Sequence, residues 1–241
     1  MIPPARPDGP TVVFLHEGLG CRQGWRSFPQ QVHRALGVGT LAYSRWGYGA
    51  SDPRLGAWPV AFMHDEAIEI LPEVLSRVGL TRPPVLVGHS DGGSIALIFA
   101  ATYPDAVQAV VTEAAHVMVE DVTVASIADA HHRFSTGDLR QRLSKHHGDN
   151  TDSLFSGWSG VWLSPAFRQW DIRALLPSIR CPVLAIQGRD DQFGTIAQLD
   201  EIAAGAGGPV ETMLVDGCGH APHAERPRDV LSAVTAFLTK R

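Results

Sequence analysis

The chain alternates short, continuous apolar runs with longer stretches in which apolar residues recur every three or four positions. Thr11-Val12-Val13-Phe14-Leu15 is one such run, of strand length and without a polar face, as expected for a strand buried on both sides of a parallel sheet. Residues 40–43, 84–87, 106–114, 182–186 and 210–215 also read as strands. Helical spacing covers residues 25–36, 61–78, 94–101, 196–204 and 228–238. Strands alternating with helices predict an α/β fold: a mostly parallel, doubly wound sheet of about six strands with crossovers on both faces. The alternation breaks between residues 115 and 178, a stretch of helical flavour carrying Phe134, Phe155, Trp158, Trp162, Phe167 and Trp170.

In an open parallel sheet, ligands sit beyond the carboxyl ends of the strands. Three such ends carry chemistry here. Gly88-His89-Ser90-Asp91-Gly92-Gly93 joins a strand directly to a helix. A turn that sharp brings the residues two before and two after the serine too close for side chains, so both are glycine. Ser90 then stands at a helix N-terminus, where free N–H groups favour a developing negative charge. Gln187-Gly188-Arg189-Asp190-Asp191 follows the fifth strand and offers carboxylates, and Asp216-Gly217-Cys218-Gly219-His220 follows the sixth and offers an imidazole. Singly, an Asp after a strand is often a turn former and a loop histidine a surface residue. The order serine, aspartate, histidine at successive strand ends is much harder to dismiss.

Composition narrows the class. A length of 241 residues, 44% hydrophobic and 19% charged, fits a single globular domain with an insertion. The net charge of −5, with no basic block, argues against a nucleic-acid partner. Cys21, Cys181 and Cys218 are odd in number and form no CxxC pair, which suits reduced thiols in a cytoplasmic protein. The N-terminal residues lack an apolar signal core and no apolar run reaches membrane-spanning length, so no membrane association is expected. His131-His132 and His146-His147 lack a companion metal-binding spacing such as HExxH and read as surface histidines.

With these motifs in place, the chain resembles the α/β-hydrolase superfamily over essentially its whole length. The resemblance makes Ser90 the nucleophile, Asp191 the acid in preference to Asp190, and His220 the base, and it makes Arg45-Trp46-Gly47-Tyr48-Gly49-Ala50-Ser51 a structural turn. His16-Glu17-Gly18 falls on the family's oxyanion loop, with glutamate where a glycine is usual. Gly18 is chosen over Leu19 as one backbone N–H donor, and Asp91 supplies the other. Glu113, Glu120 and Asp121 lie where some members keep the acid instead. Residues 1–115 and 179–241 form the expected core and 116–178 a helical lid, with Leu19, His116, Trp158 and Trp162 as candidate pocket residues.

The implied function is a serine hydrolase cleaving a small to medium acyl substrate, foremost a carboxylic ester, without metal or organic cofactor. A thioesterase or a carbon–carbon bond hydrolase would use the same triad. A ligand-binding receptor on the same fold is the rival from another class. Gly18-x-Gly20 with Arg45 offers a dinucleotide-loop reading, which leaves the three strand-end residues unexplained. The expected partner is a small molecule, with the chain a monomer or homodimer. Because Pro3, Pro4, Pro7 and Pro10 deny a regular ladder to the N-terminus, the strand at 40–43 should be a sheet edge, covered by that segment or paired in a dimer.

Overall fold

The continuous apolar runs become strands with both faces covered. β1 (Thr11–Leu15), β3 (Val85–His89), β4 (Ala109–Glu113) and β5 (Val183–Gly188) are buried along their whole length, while β2 (Gly39–Ala42) and β6 (Val210–Val215) are the edges. In the computed structural model, which describes residues 1–6 and 9–240, every pairing is parallel and the order is β2-β1-β3-β4-β5-β6. Successive side chains of one strand feed opposite faces: Val13 and Leu15 join one apolar cluster, Val12 and Phe14 the other. The second cluster is closed by α1 (Phe28–Leu36) and the C-terminal α10 (Pro227–Thr239).

The helical stretch expected over 61–78 is split by a proline. It runs as α2 (Phe62–Asp65), a π-type turn (Glu66–Ile70) and α3 (Leu71–Arg77). Pro72 has no N–H with which to bond the Ile68 carbonyl four residues back, and that carbonyl accepts the Tyr103 hydroxyl at 2.9 Å instead. The expected helix over 25–36 likewise divides into a 3-10 turn (Arg22–Trp25) and α1.

The N-terminus covers the β2 edge. Ile2 exchanges two backbone hydrogen bonds with Thr40, at 2.7 and 2.8 Å, and Ala5 N–H reaches Gly37 O at 2.8 Å. With proline at 3 and 4 the contact stays a single bridge, so no further strand forms there. Pro7 lies outside the described residues.

The elements that position the site are α4 (Asp91–Thr102) after β3 and three helices between β4 and β5. These are α5 (Asp121–Thr136), α6 (Leu139–His147) and α7 (Thr151–Trp162). α8 (Ile196–Gly205) follows β5, and α9 (Pro222–Glu225) precedes α10.

Candidate active site

The turn between β3 and α4 forces Ser90 to φ 52° and ψ −119°, a region that residues with a Cβ seldom enter. A Cβ on Gly88 would run into the Gly92 carbonyl, and one on Gly92 into the Leu15 carbonyl. The two glycines are therefore steric requirements of the turn. Asp91 is the first residue of α4, so its N–H has no acceptor within the helix and stands free beside the serine.

His220 follows β6, and its Nδ1 lies 2.9 Å from both Asp191 carboxylate oxygens. Asp191 is fixed in turn: its Oδ1 accepts Phe193 N–H at 2.8 Å and its Oδ2 accepts the Gln187 side-chain amide at 2.7 Å. Burial opposes its ionisation, but the His220 bond, with the Phe193 N–H, outweighs burial and holds its carboxyl below the usual range. Asp190, one residue earlier, is exposed, and its N–H bonds Cys218 O at 2.9 Å. The structure thus brings Asp191, and not Asp190, to His220.

Glu113 makes a different pairing from the one its position allowed. Its Oε2 accepts both Nδ1 and the backbone N–H of His223, at 2.9 and 2.8 Å, three residues beyond His220. Glu120 accepts Thr195 and Gln198, and Asp121 pairs with Arg168. None of the three meets His220.

Glu17 finds its partner in His89, the last residue of β3. His89 Nδ1 lies 3.6 Å from Glu17 Oε2, and His89 Nε2 donates to the His220 carbonyl at 2.7 Å. Burial alone would strip the His89 proton, but the Glu17 carboxylate, with Glu113 behind it, raises its pKa to about 9. The His89 imidazolium, with the Glu17 carboxylate as its counter-ion, therefore braces the His220 loop through Nε2. The loop at residues 16–18 is held by Arg45, which is buried and donates through Nη2 to the carbonyls of His16 and Glu17 at 3.1 and 3.0 Å. So committed, Arg45 is not placed to read a nucleotide phosphate. His16 accepts Arg45 N–H at 3.0 Å and stays neutral, burial and Arg45 pushing its pKa down to about 3.

A cavity of about 140 Å³ lies over these groups. Ser90 and His220 line it together with Gly18, Leu19, Asp91, His116, Trp158 and Trp162. Trp158 and Trp162, four apart on α7, both face it. A Cβ on Gly18 would occupy the place of the Trp158 indole nitrogen and come within 2.8 Å of Asp91 Oδ2, so glycine is what lets the helical segment approach. His116 Nε2 donates to Phe193 O at 3.0 Å, and burial, with His220 nearby, lowers its pKa to about 4. Glu17, Thr123, Ile127 and Phe193 complete the wall. Thr123 and Ile127 carried a signal, a four-residue spacing on one helix face, and Phe193 stood two residues after the aspartate; nothing local marked them as lining residues.

The histidine pairs lead elsewhere. His147, at the end of α6, accepts Gly49 N–H at 2.9 Å and donates to Leu19 O at 3.0 Å, fastening the helical segment to the loop after β1. Among the described residues, no group of three or more histidines, cysteines and carboxylates is arranged to hold a metal. Among the described residues, no helix is long and apolar enough to cross a membrane.

A sequence model of the alpha/beta hydrolase family matches residues 12–234. The chain belongs to that family. Among α/β-hydrolases, epoxide hydrolase A of Mycobacterium tuberculosis is 33% identical over 102 residues, 42% of this chain but only 31% of that protein. The 2-hydroxy-6-oxo-6-phenylhexa-2,4-dienoate hydrolase of Comamonas testosteroni is 23% identical over 97% of this chain and 89% of its own. NosK from Streptomyces actuosus superposes with a TM-score of 0.79 at 24% identity, covering 97% of this chain and 99% of that one. Likeness at that identity establishes the shared α/β-hydrolase fold.

Proposed function

We propose that this α/β-hydrolase is a serine hydrolase of small carboxylic esters, with Ser90, His220 and Asp191 as its catalytic triad. The observation that carries the reading is the convergence on one cavity of a serine in a strained elbow and a histidine already paired with a buried carboxylate. Ser90 Oγ attacks the ester carbonyl while His220 Nε2 takes its proton. Asp191 holds Nδ1–H, which fixes the tautomer and stabilises the imidazolium. The oxyanion is received by the backbone N–H groups of Asp91 and Gly18, one such donor being worth roughly 10²–10³ in rate. His220 returns the proton to the departing alkoxide as the carbon–oxygen bond breaks. Water, deprotonated by the same histidine, then attacks the acyl-serine and releases the acid.

Residues 116–178 act as a lid in this reading, because Trp158 and Trp162 of α7 close the cavity over Ser90. A volume near 140 Å³ suits a benzene-sized group and excludes long chains. The test is a fluorophosphonate probe followed by a panel of p-nitrophenyl esters. Ser90 should be labelled, and kcat/KM should peak at two to four acyl carbons and decline beyond about six. Absence of labelling, with no ester turned over, would refute the reading and favour a binding protein on the hydrolase fold.

A further inference from the structure

The charged groups on the cavity wall are carboxylates, Glu17 and Asp91, and no lysine or arginine among the described residues lines it. Glu17 keeps 31% of its side chain accessible. Burial disfavours its charge, but the adjacent His89 imidazolium prevails and holds it ionised. Asp91 is buried, and its Oδ2 has no hydrogen-bond partner. Burial, partly offset by Arg45, pushes its pKa up to about 6, so it too is charged in mildly alkaline solution. The cations that stabilise the pair stand behind the wall: His89 is turned to the His220 carbonyl and Arg45 to the carbonyls of His16 and Glu17.

A buried carboxylate oxygen without a partner is costly, and the cost is recovered when a ligand supplies a donor or a positive charge. Asp91 Oδ2 lies beside Gly18, the corner where the oxyanion would form. A fixed negative charge there opposes the oxyanion unless the substrate brings a compensating cation. Trp158, Trp162 and Phe193 bring aromatic surface, which attracts cations, while the unpartnered indole N–H groups of Trp158 and Trp162 are donors for the substrate's acyl oxygens. The dienoate hydrolase of Comamonas testosteroni is named for an anionic substrate, and the lining here has the opposite polarity.

We propose that this cavity selects small acyl substrates carrying a cationic amine, held by Glu17, Asp91 and the surrounding rings, and that it discriminates against carboxylates. The proposal rests on the hydrolase reading for its chemistry but not for its binding test. Choline and 3,3-dimethylbutan-1-ol match in shape and differ in charge. Both are titrated at pH 8 into the whole chain carrying Ser90→Ala, with tryptophan fluorescence as the readout. Choline should bind at least tenfold tighter, and adding Glu17→Gln or Asp91→Asn should shrink the difference below threefold. Equal or tighter binding of the alcohol would overturn the proposal, and so would a preference untouched by both substitutions. On the wild-type chain, acetylcholine should exceed 3,3-dimethylbutyl acetate in kcat/KM by a similar factor, with monomethyl succinate slowest. Labelling of Ser90 without charge preference would leave the hydrolase reading standing and remove this one. Choline preference without labelling would do the reverse.

Discussion

Two histidines three residues apart each hold a buried carboxylate at 2.9 Å, His220 with Asp191 and His223 with Glu113. As isolated pairs they are nearly indistinguishable. Their surroundings separate them. His220 is 15% accessible and shares the cavity with Ser90, whereas His223 is 5% accessible and packs on Trp25, ring centroids 4.5 Å apart. The second pair meets no nucleophile. A carboxylate–imidazole pair becomes catalytic machinery only where a nucleophile and a substrate can reach it. When sealed behind the sheet it fastens a loop, here the one that carries His220.

That contrast can be broken in order of expected effect. Ser90→Ala should lower kcat by about 10⁴–10⁶ and abolish probe labelling while the thermal transition stays in place. Turnover near the wild-type rate would show that another group is the nucleophile. Asp191→Asn should cost about 10³–10⁴ in kcat, because the imidazole loses its tautomer. A smaller loss than that of Glu113→Ala would exchange the roles of the two pairs. Glu113→Ala should instead act on stability, costing roughly 3–5 kcal/mol because the His223 side chain and backbone N–H are left buried without their acceptor, as measured by denaturant titration. Its effect on kcat in the folded fraction should stay within about tenfold.

A smaller effect concerns Asp91, whose folded pKa of about 6 lies above its ordinary value of 3.8. An acid with a raised pKa stabilises the fold when protonated, and that contribution is lost as pH rises through about 6. Asp91→Asn should therefore be more stable than the wild type by about 1–3 kcal/mol at pH 8 and show no advantage at pH 4, read from melting curves at both. An advantage independent of pH would mean that the carboxylate is not the source. Smallest of all, Asp190→Asn should change kcat less than tenfold, since its exposed side chain takes no part at His220.

The local pattern carried most of the architecture. β1 and β6 begin and end where the apolar runs do, and β3 leads into α4 through the turn that its glycines demand. Local sterics dictate these features, so they are legible one segment at a time. The break at Glu66–Ile70 was less so. Pro72 was visible, but the acceptance of a tyrosine hydroxyl by the freed Ile68 carbonyl depends on α4, which brings up Tyr103 from thirty-five positions away. Trp158 and Trp162 were visible as a helix face. Their meeting with Gly18 and Ser90 depends on how α7 packs on the core, which His147 helps set by bonding Gly49 and Leu19.

By itself, then, the sequence determined the parallel α/β sheet, the elbow at Ser90 and the order of the three strand-end residues, because these follow from the spacing of apolar residues and the steric needs of a tight turn. Tertiary structure alone decided that Glu113 goes to His223. Glu113 ends β4 and Asp191 stands three residues beyond β5, and the paths of the loops after β6 bring the first to His223 and the second to His220. It also decided the meaning of Glu17. In the sequence it is a charge where glycine is usual, and in the fold it is the counter-ion of His89, through which it braces the His220 loop, and part of the cavity's anionic wall. Electrostatic roles of this kind depend on distances of a few ångströms between residues far apart in the chain, and such distances exist only after packing.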